Sequence, residues 1–232
     1  MKKILIISFA TNLTGSSKSL IEILKINTKF NIQVLLPDKG EIANNLGNTT
    51  IHYYKFTQLN SNIFEIPKYF FLQILSAYNL YRLIKSNKIE LLHVNSSTIV
   101  FPGIVGKLCN VPVIYHIRET KIFYNKFAWL FFRINIFLFA QHIIGCCESV
   151  LDLGKLLKNK KKSSVYNWYH HGFSCQQEQN TFNNSSIVIS SFAAPSPRKG
   201  LDILLKGFLK YSEDTDYKNL ILNLYTERPT KE

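Results

Sequence analysis

The sequence predicts an α/β architecture, with one complete doubly wound domain followed by a linker and the first β-α-β unit of a second domain. Three observations carry this reading. Between residues 4 and 168, short apolar runs bounded by polar residues alternate with segments of helical period. The runs are near-continuously apolar rather than alternating, as in parallel strands covered on both faces. After residue 168 the pattern breaks and then restarts with a single strand, helix and strand.

The elements follow in order. The run 4–9 reads as a strand, and residues 16–24, with Leu20, Ile23 and Leu24 at helical spacing, as the helix after it. Strands are expected at 32–36, 51–54, 90–94, 111–117, 142–147 and 163–168. Helices are expected at 67–85, 98–108, 122–140 and 149–158. In the first of these Phe71, Ile74, Leu75 and Tyr78 form one stripe, and Pro67 suits the first helical turn. The polar stretch from 169, rich in Gln and Asn, supplies the linker, placed at 171–186 between a first domain at 1–170 and a second at 187–232. That second part holds a strand at 187–192, a turn with Pro195 and Pro197, a helix from Gly200 to about Tyr211 and a strand at 220–225. Two strands and one helix are too few to bury both sheet faces.

Composition narrows the function classes. A chain of 232 residues, 46% hydrophobic with 17 Phe and 12 Tyr, has the material for a buried core and is not disordered. The greasiest run, 127–139, is interrupted by Arg133 and Asn135 and is too short for a membrane span. Lys2 and Lys3 precede an apolar stretch, but the polar residues from Asn12 to Ser19 show no cleavage pattern, so secretion is not expected. Cys109, Cys146, Cys147 and Cys175 form no C-x-x-C pair, which suits free thiols of a reducing cytosol and no metal.

The net charge of +13 favours an anionic partner. Basic residues beside the aromatic-rich segments 67–85 and 121–139 tilt the choice toward an anionic membrane surface, and no nucleic-acid motif appears. The competing reading of those segments is core-facing helices with basic outer faces.

Four segments carry candidate chemistry. The loop 11–19, TNLTGSSKS, opens a helix after the first strand, where free backbone N–H groups favour a phosphate, with Gly15 and Ser16 nearest. It lacks both G-K-S/T and G-x-G-x-x-G, which argues against a nucleotide triphosphatase loop and a nicotinamide-dependent oxidoreductase. HVNSST at 93–98 sets Asn95, Ser96 and Ser97 at a strand's carboxyl end, and VIYHIRE at 113–119 does the same for His116, Arg118 and Glu119. Ligands of open α/β sheets bind at such ends. His93 itself is expected to be a plain core or edge histidine. In PSPRKGLDILLKGF, 195–208, Arg198 and Lys199 stand at a helix start, an arrangement that suits a diphosphate.

In order and spacing these landmarks, with the CCESVLDLG junction and VYNW near the first domain's end, resemble the family-four glycosyltransferases of the GT-B fold, which pair two Rossmann-like domains. The resemblance covers essentially the whole chain. It implies retaining transfer of a sugar from a UDP- or GDP-linked donor to a glycan or lipid-linked acceptor in bacterial surface polysaccharide synthesis, with no cofactor and no obligatory metal. It implies too that Gly15, Ser16, Arg198 and Lys199 bind the donor diphosphate, and that His116 is the catalytic-site residue lining the reacting sugar. Asn95, Ser96, Arg118 and Glu119 would form the acceptor cleft. The enzyme would be cytoplasmic, peripheral on the inner face of the membrane.

The chain departs from the family pattern in two places. The family has a Gly-Arg pair ahead of Lys-Gly, whereas residues 191–194 here offer no cation, so one diphosphate contact is absent or replaced. The sequence also stops before the family's E-x7-E region, so the expectation is that the chain is inactive alone. It is then either a truncated product or the acceptor half of a split enzyme completed by a second polypeptide. The alternative outside enzymes is a non-catalytic basic α/β protein that binds a membrane surface or nucleic acid.

Overall fold

The computed structural model describes residues 1–26, 29–55, 66–119, 126–152, 155–167, 187–192, 199–214 and 220–225. The chain divides into two compact units, Met1–Gly172 and Phe173–Glu232, each described here by itself.

The first unit runs β1 (Lys3–Ile7), α1 (Gly15–Ile26), β2 (Asn31–Leu36), α2 (Glu41–Asn44), β3 (Thr50–Tyr53), α3 (Ile66–Asn87), β4 (Leu91–Val94), α4 (Phe101–Cys109), β5 (Val113–Ile117), α5 (Lys126–Phe139), β6 (His142–Gly145) and β7 (Lys162–Ser164). Its strands form one parallel seven-stranded sheet in the order β3-β2-β1-β4-β5-β6-β7. The chain winds one way from β1 to β3 and the other way from β4 to β7. The strand order therefore reverses between β1 and β4, the crevice where such sheets place ligands.

Alternation along the strands sorts the core into two layers. Leu5, Ile7, Leu92, Val94, Tyr115 and Ile117 face Leu80 and Ile84 of α3, Phe101 and Val105 of α4 and Ile136 of α5. On the other side Ile6, Val34 and Leu36 face Leu20 and Ile21 of α1 and Ile42 of α2. Each fully buried Leu or Ile contributes about 1.5–3 kcal/mol.

Both faces are covered, as expected, but the cover is unequal. By register with Ile4 and Ile6, Leu91 and His93 lie on the α1 side of β4, and both are half-buried while Leu92 and Val94 are fully buried. The same alternation holds for His142 and Ile144 against Ile143 and Gly145 in β6.

Local chemistry moved several boundaries. The helix expected at 98–108 begins at Phe101, because Ser96 and Thr98 bond to each other in a turn just before it. Pro102 lies in its first turn, and Asn110 ends it in a left-handed conformation at φ 56°. The helix expected at 149–158 is instead two 3-10 turns, Glu148–Leu151 and Lys155–Leu157; Gly154 in the middle of that run disfavours a continuous helix. The strand expected at 163–168 is the shorter Lys162–Ser164.

The second unit contains β8 (Ile187–Phe192), α6 (Leu201–Asp214) and β9 (Leu220–Tyr225). The two strands are parallel, with Ile187 beside Leu220 and Phe192 beside Tyr225. Half-buried Ile187, Ile189, Leu220 and Leu222 mark one face, whereas Val188, Phe192, Ile221 and Tyr225 on the other are exposed. The Phe192 and Tyr225 rings stack there at 4.6 Å. Gly200 enters α6 at φ 69°, a conformation that favours glycine. The expected linker 171–186, Cys175 and the turn with Pro195, Pro197 and Arg198 lie outside the described residues.

Candidate functional site

The carboxyl ends of β4 and β5 sit side by side, and each is followed at once by polar residues. Backbone N–H of Asn95 still donates to Ile7 O of β1, so this side chain leaves the sheet beside the switch point. Asn95, Ser96, Ser97 and Thr98 are all buried although polar, and so is His116. Buried polar groups require partners.

Arg118 serves Asn95 and ties it to two further elements. Its Nε donates to Asn95 Oδ1 at 2.8 Å, one terminal nitrogen donates to Asn167 Oδ1 at 2.8 Å, and the other donates to Ser19 Oγ of α1 at 3.2 Å. One guanidinium thus joins β5, the end of β4, the first helix and the segment after β7. Its charge persists against burial, the larger influence and one that lowers its pKa, with Glu119 raising it in opposition.

Glu119 faces the next turn. Its carboxylate accepts from the hydroxyl of Ser96, from the N–H of Ser97 at 3.1 Å and from the Ser97 hydroxyl at 3.0 Å. The N–H of Arg118 adds a fourth bond at 3.3 Å. The serines of HVNSST are therefore held by the carboxylate that follows β5, which fixes the shape of the crevice floor.

His116 lies one position before the end of β5 and contacts His93 of β4: Nε2 of His93 is 3.3 Å from Nδ1 of His116. Burial, then the charge of Arg118, push His93 down to about 4; the same causes followed by His93 push His116 down to about 3. Both rings are neutral at neutral pH, so His116 acts there as a hydrogen-bonding group and not as a cation. His116 Nε2 and Asn95 Nδ2 are buried with no hydrogen-bond partner. His93 is a half-buried strand histidine, in line with its reading as a core or edge residue, and it is also the partner of His116.

The loop 11–19 forms the other wall. Ser17 is fully buried and structural: its hydroxyl accepts from Thr14 N at 2.6 Å and donates to Asn12 O at 2.7 Å. The Ser16 hydroxyl meets Thr14 Oγ1 at 3.0 Å. Gly15 is open, with no atom within 4 Å of where a Cβ would stand, and as the first residue of α1 its N–H has no intrahelical acceptor. Glycine is instead demanded at Gly40, where a Cβ would lie 2.2 Å from Thr11 O. Ile42 N donates to the same oxygen at 3.0 Å, and Glu41 accepts from Leu13 N at 3.1 Å. The short α2 thereby clamps the loop.

The structure therefore brings together Asn95, Ser96, His116, Arg118 and Glu119. Gly15 and Ser16 stand at the start of α1, whose Ser19 is bonded to Arg118. Lys199 is exposed at the start of α6 in the second unit, and Arg198 lies outside the described residues. Sequence reasoning missed Ser19, Gly40, Glu41 and Asn167, whose roles rest on long-range contacts. Among the described residues no group of three or more His, Cys, Asp or Glu is arranged to hold a metal.

Solved structures share this architecture. HepE of Anabaena in complex with UDP and glucose superposes with a TM-score of 0.66 at 14% identity, over 99% of this chain and 70% of that one. The fold is GT-B-like. The lipopolysaccharide outer core galactosyltransferase WaaB in its apo form gives 0.64 at 14% identity, over 99% and 69% of the two chains. MurG of Acinetobacter baumannii gives 0.57 at 11%, over 99% and 69%. In a second HepE structure, with UDP, the chain spans 61% of the length. At these identities the likeness is one of fold. No protein-family model and no curated protein matches the sequence.

Proposed function

We propose that this chain carries the acceptor-side domain, and part of the donor side, of a retaining glycosyltransferase. The reaction moves a hexose from a UDP- or GDP-linked donor to a glycan or lipid-linked saccharide in surface polysaccharide synthesis. One observation carries the reading: His116 Nε2 and Asn95 Nδ2 are buried and unpartnered at the strand ends of a GT-B-like sheet. Unsatisfied buried groups cost about 1–3 kcal/mol each, a penalty that a bound sugar hydroxyl offsets.

In this reading Arg118 and Glu119 hold the crevice in shape, and neutral His116 lines the reacting sugar. Negative charge develops on the diphosphate as the sugar departs. The open N–H groups at Gly15 and Ser16 stabilise such charge at the first unit's crevice, and Arg198 and Lys199 are the cations that the second unit offers a diphosphate, so no metal is required. The exposed face of β8 and β9 supports completion of the donor half by further polypeptide.

Titration calorimetry of the purified chain with UDP, GDP and their sugars tests this, with His116→Gln as control. Binding of one nucleotide-sugar, weakened in the variant while the nucleotide alone is unaffected, is the expected result. A folded chain that binds none of them, even with its completing polypeptide present, overturns the assignment.

A further inference from the structure

Two adjacent thiols stand beside the crevice and take no part in the sugar chemistry. β6 ends at Gly145, and Cys146 N still donates to Ile117 O of β5 at 3.2 Å, so Cys146 leaves the sheet next to Arg118. The chain then turns back at once. A Cβ on Gly145 would lie 2.5 Å from the Leu151 side chain and 2.9 Å from Cys147 O, so only glycine lets the turn Glu148–Leu151 fold over the strand end. That turn sets Cys147, extended at φ −162° and half-buried, just ahead of Ser149.

The surroundings give the two sulfurs different chemistry. Ser149 Oγ is 3.0 Å from Cys147 Sγ, and the Cys146 and Cys147 thiols are hydrogen-bonded to each other. An ionised sulfur only accepts, so both neighbours donate to a Cys147 thiolate. The Ser149 bond foremost, with Cys146 adding to it, holds Cys147 below the ordinary thiol value. Cys146 is pushed up instead, by burial first and then by Cys147, against the opposing charge of Arg118. Cys109, half-buried in α4, is likewise raised by burial. Of these three thiols Cys147 alone has its ionised, nucleophilic form favoured.

We infer that Cys147 is a thiol-exchange site, which takes a small disulfide of the glutathione class and holds half of it as a mixed disulfide. The Cys147 sulfur attacks one sulfur of the small disulfide, whose S–S bond breaks as the new one forms. The other half leaves as a thiolate and takes a proton from water. Cys146 keeps its own proton. Consecutive Cα atoms are about 3.8 Å apart, short of the roughly 4.4–6.8 Å that a disulfide spans, so Cys146 does not displace the adduct. The adduct then sits at the carboxyl end of β6, beside the strand that leads to Arg118, and records the state of the small-thiol pool next to the crevice. Exchange needs no nucleotide, so the inference stands apart from the glycosyltransferase reading.

Incubation of the full chain with oxidised glutathione, followed by mass mapping of its four cysteines, tests it. Cys147→Ser, Cys146→Ser and Ser149→Ala accompany the parent. The expected result is a first adduct on Cys147, formed about tenfold or more faster than on Cys109 and released by dithiothreitol. It is lost in Cys147→Ser, kept in Cys146→Ser and formed more slowly in Ser149→Ala. A first adduct on Cys109 or Cys175 overturns the inference, as does equal labelling of all four. So does a Cys146–Cys147 disulfide in place of the adduct, which would make the two cysteines an oxidisable couple. The parent's own map decides the site even where a variant does not fold.

Discussion

The imidazole of His93 stacks on that of His116, with ring centroids 5.5 Å apart and planes 18° from parallel, and one nitrogen of each faces the other at 3.3 Å. Only one proton fits between those two nitrogens, and Arg118 already brings a positive charge to the same corner.

This pair makes stability pH-dependent in one direction. Both folded pKa values lie below the ordinary 6.5, at about 4 and about 3. The neutral forms are the ones the fold favours, so their contribution is fully present above the unfolded value and is lost as pH falls from about 6.5 through about 4 and about 3. The urea midpoint is expected to drop over that window, and His93→Gln to flatten the drop. A midpoint that does not move between those pH values contradicts the burial of the pair.

The two glycines of the crevice wall respond oppositely to a methyl group. Gly40→Ala drives a Cβ into the Thr11 carbonyl and is expected to destabilise by about 1–3 kcal/mol. Gly15→Ala meets nothing, and its effect on stability stays within about 0.5 kcal/mol. If Gly15 faces the donor diphosphate, the same variant weakens nucleotide binding. Thermal unfolding and calorimetry on the pair separate packing from ligand approach.

Arg118→Lys keeps the charge and loses the fork. A lysine ammonium does not reach Asn95, Asn167 and Ser19 together, so the variant is expected to lose about 1.5–3 kcal/mol of stability. Urea unfolding checks the figure, and parent-like stability would mean that the three bonds are incidental.

Beneath the crevice, Tyr115 donates from its hydroxyl to Ile99 O at 3.2 Å and accepts from Asn135 Nδ2 at 2.7 Å, all buried. Tyr115→Phe strands the Asn135 amide and is expected to destabilise by about 1–3 kcal/mol. Adding Asn135→Leu removes the orphan and recovers part of the loss, which a double-mutant cycle measures.

Much of the first unit was legible because its strands are short apolar runs and its helices keep a clear period. Asn95, Ser96, His116, Arg118 and Glu119 stood out since polar residues directly after a buried strand belong at a crevice. His93 did not: period two says which residues share a face, but not that helices cover the α1 side unequally. Gly40 was invisible because its reason is the carbonyl of Thr11, brought close only by the fold. The 149–158 segment misled because helical spacing survives around Gly154 even though the backbone closes into two tighter turns.

The strand order has a consequence for how the molecule is made. β1 is flanked by β2 and by β4, and Lys3 N is bonded to the Glu90 carboxylate, a sequence separation of 87 residues. At ribosomal rates of about 5–20 residues per second, the first strand therefore waits roughly 4–17 seconds for its second neighbour. For that interval one edge of β1 has no ladder, and the isoleucines of the β1–α1–β2 unit are the nascent chain's natural target for chaperones.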